Sequence, residues 1–166
     1  MTPRQFWLLK SEPSELSIDD LRERPHQTEP WDGVRNYQAR NFLRDQMRMG
    51  DEALFYHSGR NPAVVGVVRV VRPGYPDHTA WDPESKHFDP RSTPDHPVWY
   101  MVDVKLKEVF PAPLPLSELR RIPSLQNMML LRRGSRLSVQ PVSEEELRSI
   151  VSLGRKPNRR NPSQTP

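Results

Sequence analysis

Apolar residues in this chain come in short runs, separated by proline and charge, and the spacing within each run predicts an element. "QFWLLK" (5–10) is compact and apolar and predicts a first strand. "SEPSELSIDDLRER" (11–24) predicts a short helix. Ser17 can cap it, and Asp19 and Asp20 fall in its first turn, where the helix dipole favours acids. Pro25 and the polar stretch to Pro30 end it. From Asn36 onward, Ala39, Phe42, Leu43 and Met47 recur at spacings of three and four and share one helical face. Arg40, Arg44 and Arg48 form a neighbouring stripe at i, i+4 and i+8, and Gly50 is a natural stop.

"EALFYHS" (52–58) predicts a second strand, closed by the turn "GRNP". "AVVGVVRVV" (63–71) is apolar on both faces and so predicts a central strand, with Gly66 marking a bulge or bend. Residues 73–97 form a long Pro- and Asp-rich connection whose Tyr75, Trp81 and Phe88 predict packing on the body. "VWYMVDVKLKEVF" (98–110) then alternates. Val98, Tyr100, Val102, Val104 and Leu106 face one way, and Asp103, Lys105 and Lys107 the other. This strand is long enough to bend between two edges of a barrel. A short helix around 117–121, a helical turn or two stopping at Gly134, a last strand "SRLSVQPV" and a helix over 143–153 complete the pattern. Nothing periodic follows Leu153, so residues 154–166 are expected to be a disordered basic tail. The element order predicts an α+β fold: a small mixed sheet curled into a partial barrel and flanked by short helices.

Composition narrows the function. The length of 166 residues suits one domain, and 34% hydrophobic residues with 19 prolines imply a modest core with stiff connections. No run of 18 apolar residues spans a membrane, and the N-terminus lacks a signal peptide's layout. A cytoplasmic protein, with access to nucleoid or nucleus, and a monomer are the expectations. The absence of cysteine excludes disulfides, thiolate catalysis and Cys-based zinc sites. The net charge is +4, but Arg155, Lys156, Arg159 and Arg160 sit in the tail; taking these four from 25 basic residues leaves 21 against 21 acidic ones. A neutral body argues against coating nucleic acid through many phosphate contacts and permits a protein that grips a few.

Catalytic constellations are missing. His26, His57, His78, His87 and His96 show no metal-ligand spacing, so no metal and no cofactor are expected. His57 and Ser58 are neighbours on a strand and point to opposite faces, which makes a poor base–nucleophile pair. The stretch "WDGVRNYQARNFLR" (31–44) carries more chemistry. Each part has a plain structural alternative: Trp31 can cap the core edge, Asn36 can cap the helix, and the arginines can be a solvated face. Together they supply what a flipped base needs: a ring to stack on, an amide for its edge, backbone N–H groups at a helix start, and cations for the flanking phosphates.

The strings "FWLLKSEP" (6–13), "WDGVRNYQARNFLR", "GDEALFYHS" (50–58), "VVGVVRVV" (64–71), "YPDHTAWDP" (75–83), "WYMVDVK" (99–105) and "LLRRGSRLSVQPV" (130–142) occur in this order. The series resembles the EVE domain family over nearly all of residues 5–153, with residues 1–153 as the domain. The resemblance implies a PUA-like pseudobarrel, no catalysis, and an aromatic-lined pocket for a modified base in DNA or RNA, such as a 5-methylcytosine-type base. Carried over by position, it places the pocket where Lys10, Ser11 and Glu12, then Trp31, Gly33, Val34, Arg35 and Asn36, then Tyr56, His57 and Ser58 meet. Trp31 is expected to stack with one face free, and Asn36 to read the base edge. Ser11 and Ser58 would offer polar contacts, Lys10 and Arg35 would meet phosphate, and Tyr56 or His57 would form the opposite wall. Arg40, Arg44 and Arg48 would contact phosphates, and Trp81 could act as a lid. An RNA-binding accessory module indifferent to modification, and a His57-dependent enzyme on a nucleotide-like substrate, are the alternatives.

Overall fold

A computed structural model describes residues 4–157. Six strands form one mixed sheet: β1 (Phe6–Ser11), β2 (Thr28–Pro30), β3 (Glu52–His57), β4 (Ala63–Pro76), β5 (Tyr100–Pro115) and β6 (Val139–Val142). Their order is β2-β5-β4-β3-β1-β6, with β1 and β3 parallel and every other pair antiparallel. The ends of this order do not pair with each other, so the barrel stays open. The sheet bends through four register shifts between β4 and β5. One lies at Gly66, where the expected bulge forms: a Cβ there would fall 2.4 Å from the Glu108 carbonyl and from Ile18 Cδ1.

Both sheet faces are buried, which is why the central strands read as continuous apolar runs. Along β1 and β3, Trp7, Leu9 and Phe55 point to one core, and Leu8, Leu54 and Tyr56 to the other. The first core is covered by Ile18 and Leu21 of α1 (Ile18–Glu23) and Ala39 of α2 (Tyr37–Asn41). The second is covered by Leu119 of α3 (Leu116–Leu119) and by Leu147, Ile150 and Val151 of α4 (Glu144–Gly154). Ser17 and Ser143 build the capping boxes that start α1 and α4, closed by Asp20 and Glu146.

Three expectations change. The helix from Asn36 is not regular: α2 runs into a π-helical turn, Phe42–Gln46, where the Met47 N–H reaches the Phe42 carbonyl at 2.9 Å. That wider turn breaks the arginine stripe before Arg48. The stretch before Trp31 is not merely a terminator. His26 (φ 57°) and Gln27 (φ 50°) reverse the chain in left-handed conformations, and Thr28–Pro30 pairs with β5 as an edge strand. At the C-terminus, helix α4 extends through Gly154, and Arg155 pairs with Glu108 at 2.7 Å. The rest of the expected tail, from residue 158, lies outside the described residues. Among the described residues, no helix is long and apolar enough to cross a membrane.

Candidate functional site

β1 and β2 deliver their C-terminal ends to one hollow of about 610 Å³. From β1 and the turn after it come Lys10, Ser11, Glu12, Glu15 and Leu16. From β2 and the loop after it come Glu29, Pro30 and the run Trp31 to Arg35. The long connection adds Ser85, Lys86 and His87, and the approach to β6 adds Ser138. The volume lies within the roughly 300–1,000 Å³ of small-molecule sites. Trp31 is fixed from behind: its backbone N–H donates to the Val102 carbonyl at 2.7 Å, and its ring meets Phe55 at 5.5 Å and 87°. It is only 6% exposed, so it is both core residue and cavity wall, not a free-standing ring. The Ser11 hydroxyl donates to the Leu16 carbonyl at 2.5 Å and holds the β1–α1 turn in place.

Asp77 joins the two loops that shape the hollow. It is completely buried, and its carboxylate accepts from the Gly33 N–H at 2.8 Å and from Arg35 Nη1 at 3.0 Å, while Thr79 donates to its other oxygen. Burial alone would push the Asp77 pKa up. The hydrogen bonds from Thr79, Gly33 and Arg35 outweigh it and hold the carboxyl below its ordinary value. Arg35 also donates to the His87 carbonyl at 2.7 and 3.2 Å. Gly33 (φ 78°) lies so close to the His87 ring that a Cβ would fall 2.6 Å from it.

The cavity lining is rich in acceptors. Glu12, Glu15, Glu29 and Asp32 border it, beside the cations Lys10, Arg35 and Lys86. Arg35 is spent on Asp77 and His87, Lys86 pairs with Glu15, and burial lowers the pKa of Lys10. Glu29 is held by Arg24 at 2.9 Å. Asp32 keeps a solvent-facing side, yet the protein around its carboxyl and then the charge of Asp77 push its pKa above the usual carboxylate value.

Seven of the residues expected in the pocket line this hollow: Lys10, Ser11, Glu12, Trp31, Gly33, Val34 and Arg35. Four do not. The Asn36 side chain accepts from the Ala39 N–H at 3.0 Å and serves as the helix cap. Neither Tyr56 nor His57 forms the opposite wall, since each is turned to other partners. Tyr56 sinks into the second core, with Lys10 Nζ 5.9 Å from its ring centre. His57 Nε2 accepts from the Ile18 N–H at 3.1 Å at the start of α1, and burial lowers its pKa. His57 and Ser58 line a different hollow. Arg40, Arg44 and Arg48 border none of the hollows around β1 and β3. Arg40 donates to the Val98 carbonyl at 2.8 Å and lies over the Tyr37 ring, whose other partner is Trp99; Arg44 is chelated by Asp45 at 2.7 and 2.8 Å. Trp81 is no lid either. It does not reach the cavity, its indole N–H is buried without a partner, and the loop's contribution comes from Ser85–His87 instead.

The sequence profile of the EVE domain matches residues 5–153. The chain belongs to the EVE domain family. Human thymocyte nuclear protein 1 is 44% identical over 168 residues, a match that covers 90% of this chain and 74% of that protein. Two solved structures are closely similar. A hypothetical protein from Leishmania major superposes with a TM-score of 0.86 at 47% identity, covering 92% of this chain and 95% of that one. The human protein in complex with 5-methylcytosine-containing DNA superposes with a TM-score of 0.85 at 43% identity, covering 92% and 98%. Within this EVE domain, sequence reasoning passed over Asp32 and Ser138, although both sit inside the strings that carry the resemblance. It also passed over Glu29, which arrives on the unrecognised β2, and Lys86 and His87, which arrive from the long loop.

Proposed function

We propose that this EVE domain is a non-enzymatic nucleic-acid-binding module that takes one modified base, of the 5-methylcytosine type, out of its strand and into the Trp31 cavity. The observation that carries this reading is the hollow itself: about 610 Å³, with an indole in its wall and carboxylates around it. A base that leaves the duplex loses its stacking and pairing, and a pocket must replace both. Trp31 supplies the aromatic surface. Cytosine and its 5-substituted forms present an exocyclic amino donor, which Asp32 and the neighbouring carboxylates accept; thymine and uracil present a carbonyl there and meet repulsion. Leu16, Pro30 and Val34 give a base methyl an apolar contact. One methyl in such a pocket contributes about 1–3 kcal/mol, so preference for the modified base is moderate. The relative solved with 5-methylcytosine-containing DNA supports the same reading. His57 fits a binder better than an enzyme, since its Nε2 is already occupied by the Ile18 N–H.

The test is a binding titration with matched oligonucleotides that carry 5-methylcytosine, cytosine or thymine at one position. The modified cytosine is expected to bind several-fold more tightly than cytosine, and thymine most weakly. Ser138→Phe, which fills the hollow, is expected to weaken binding tenfold or more while the melting temperature stays within a few degrees. Equal affinity for all three oligonucleotides, unaffected by Ser138→Phe, would reject the reading in favour of a general nucleic-acid binder.

A further inference from the structure

Three hollows adjoin at the C-terminal ends of β1 and β3. The Trp31 cavity shares Glu12 with a second hollow of about 1070 Å³ and Lys10 with a third of about 510 Å³; the second and third share Leu116 and Arg120. Charge divides sharply among them. Four carboxylates border the first, beside Lys10, Arg35 and Lys86, with Glu15 paired to Lys86 and Glu29 to Arg24. Glu12 is the one carboxylate on the second, and none borders the third. Arg60 and Arg120 line the second hollow, and Arg120, Arg132 and Arg133 line the third. All four arginines are exposed, and among the described residues none is in an ion pair. The hollow at the opposite end of β1 and β3 is built differently. There Lys107 pairs with Glu52, Arg148 with Glu144, and Arg155 with Glu108, at 2.5, 2.5 and 2.7 Å.

We propose that Arg60, Arg120, Arg132 and Arg133, with Lys10 at the rim, form the track that holds the phosphodiester backbone on either side of the captured base. This rests on the reading of the Trp31 cavity as a base site. The carboxylates of the cup disfavour a phosphate that follows the base in, so the backbone passes more readily along the rim. Where the rim turns away from the acids, it meets exposed guanidinium groups outside any ion pair among the described residues, set in concave surface and suited to bidentate phosphate contacts. In the stripe, Arg40 and Arg44 already give part of their donors to the Val98 carbonyl, Asn41 and Asp45, and Arg48, which is exposed, lines none of these hollows. The domain thus separates two tasks: an acidic cup for an amino-bearing base, and a basic apron for its backbone.

The deciding measurement is the salt dependence of affinity for one unmodified and one 5-methylcytosine oligonucleotide. The proteins compared are the wild type, the triple variant R120A/R132A/R133A, its single variant R120A, the pair R44A/R48A, and R148A as a control for R120A, with the same loss of one charge at the opposite end. Each lost phosphate contact lowers the slope of log affinity against log salt by about 0.7–0.9. The triple variant is expected to lose a slope of about 2 and at least tenfold in affinity on both oligonucleotides, while the ratio between them is kept and the melting temperature matches wild type. R148A is expected to leave slope and ratio unchanged. An unchanged slope in the triple variant, or a slope lost in R44A/R48A instead, overturns the track. Failure of the base reading shows separately, as a wild-type ratio of one between the two oligonucleotides. The slope on the unmodified strand still decides the track in that case.

Discussion

At the scale of single residues, Asp32 and Trp31 each serve two ends that pull apart. The folded pKa of Asp32 is raised, so the folded state holds its proton more tightly than the unfolded chain does. Stability therefore falls as pH rises from the unfolded value, about 3.9, through the folded one, and at neutral pH the ionised carboxylate is a liability. Asp32→Asn is expected to raise the melting temperature at pH 7 and to narrow that gain below pH 4. The same change is expected to weaken binding of the cytosine oligonucleotides, because an amide is a poorer acceptor. A melting temperature unchanged across this range would show that the carboxyl is not under strain. Both readings of Trp31, as a ring capping the core edge and as a stacking surface, were legible in the sequence, but its packing partner was not. The single ring placed before a helix gave no sign that Phe55, 24 positions later, packs edge-to-face against it. Its removal in Trp31→Ala is expected to cost about 3–5 kcal/mol of folding stability, measured by denaturant melts, and not merely to remove binding.

Among elements, the loop after β2 and the long connection behave as one unit because Asp77 ties them. Asp77→Asn breaks a buried pair with Arg35 and weakens the acceptor for the Gly33 N–H. A loss of about 3 kcal/mol is expected at neutral pH, the low end for such a break, since Arg35 keeps some exposure. Because the folded pKa of Asp77 is depressed, its contribution is complete above the unfolded value of about 3.9 and is lost as pH falls through the folded one. The stability difference between wild type and Asp77→Asn, followed by melts from pH 7 down to pH 2, is expected to shrink below pH 4; a constant difference would remove the ionic part of the argument. The elements with strong periodicity were legible: both capping-box helices, the central strand and its bulge at Gly66. Those set by distant partners were not. β2 has three residues, one of them proline, and exists because β5 offers it an edge. The π-helical turn after α2 keeps the apolar spacing of a regular helix, so its displacement of Arg48 cannot be seen in the pattern.

For the whole molecule, the sequence located one side of the candidate site and missed the other. Residues 10–12 and 31–35 lie in two quoted strings that border one hollow although β1 and β2 are not neighbours in the sheet. The opposite side comes from residues 85–87 and 138, and no local signal says that a proline-rich loop will fold back onto Gly33. The arginine stripe misled for a related reason, since spacing reveals which side chains align but not which already have partners. Charge follows the same division. The body is neutral as a sum, yet acids line the cup and unpaired arginines line the adjoining hollows. Removing residues 158–166, which hold Arg159 and Arg160, is expected to weaken affinity for both oligonucleotides alike and to leave their ratio unchanged; a changed ratio would place base reading outside the domain.

Strand β1 is synthesised first, yet it lies between β3 and β6, and its second neighbour begins at Val139. A nascent chain emerging from the ribosome therefore carries an apolar strand with one open edge until almost the entire domain has been translated. Pairings so remote in sequence make folding slow and leave intermediates prone to clump. Ser138, beside that same final strand, completes the lining of the hollow, so the proposed site is whole only once β6 has joined the sheet.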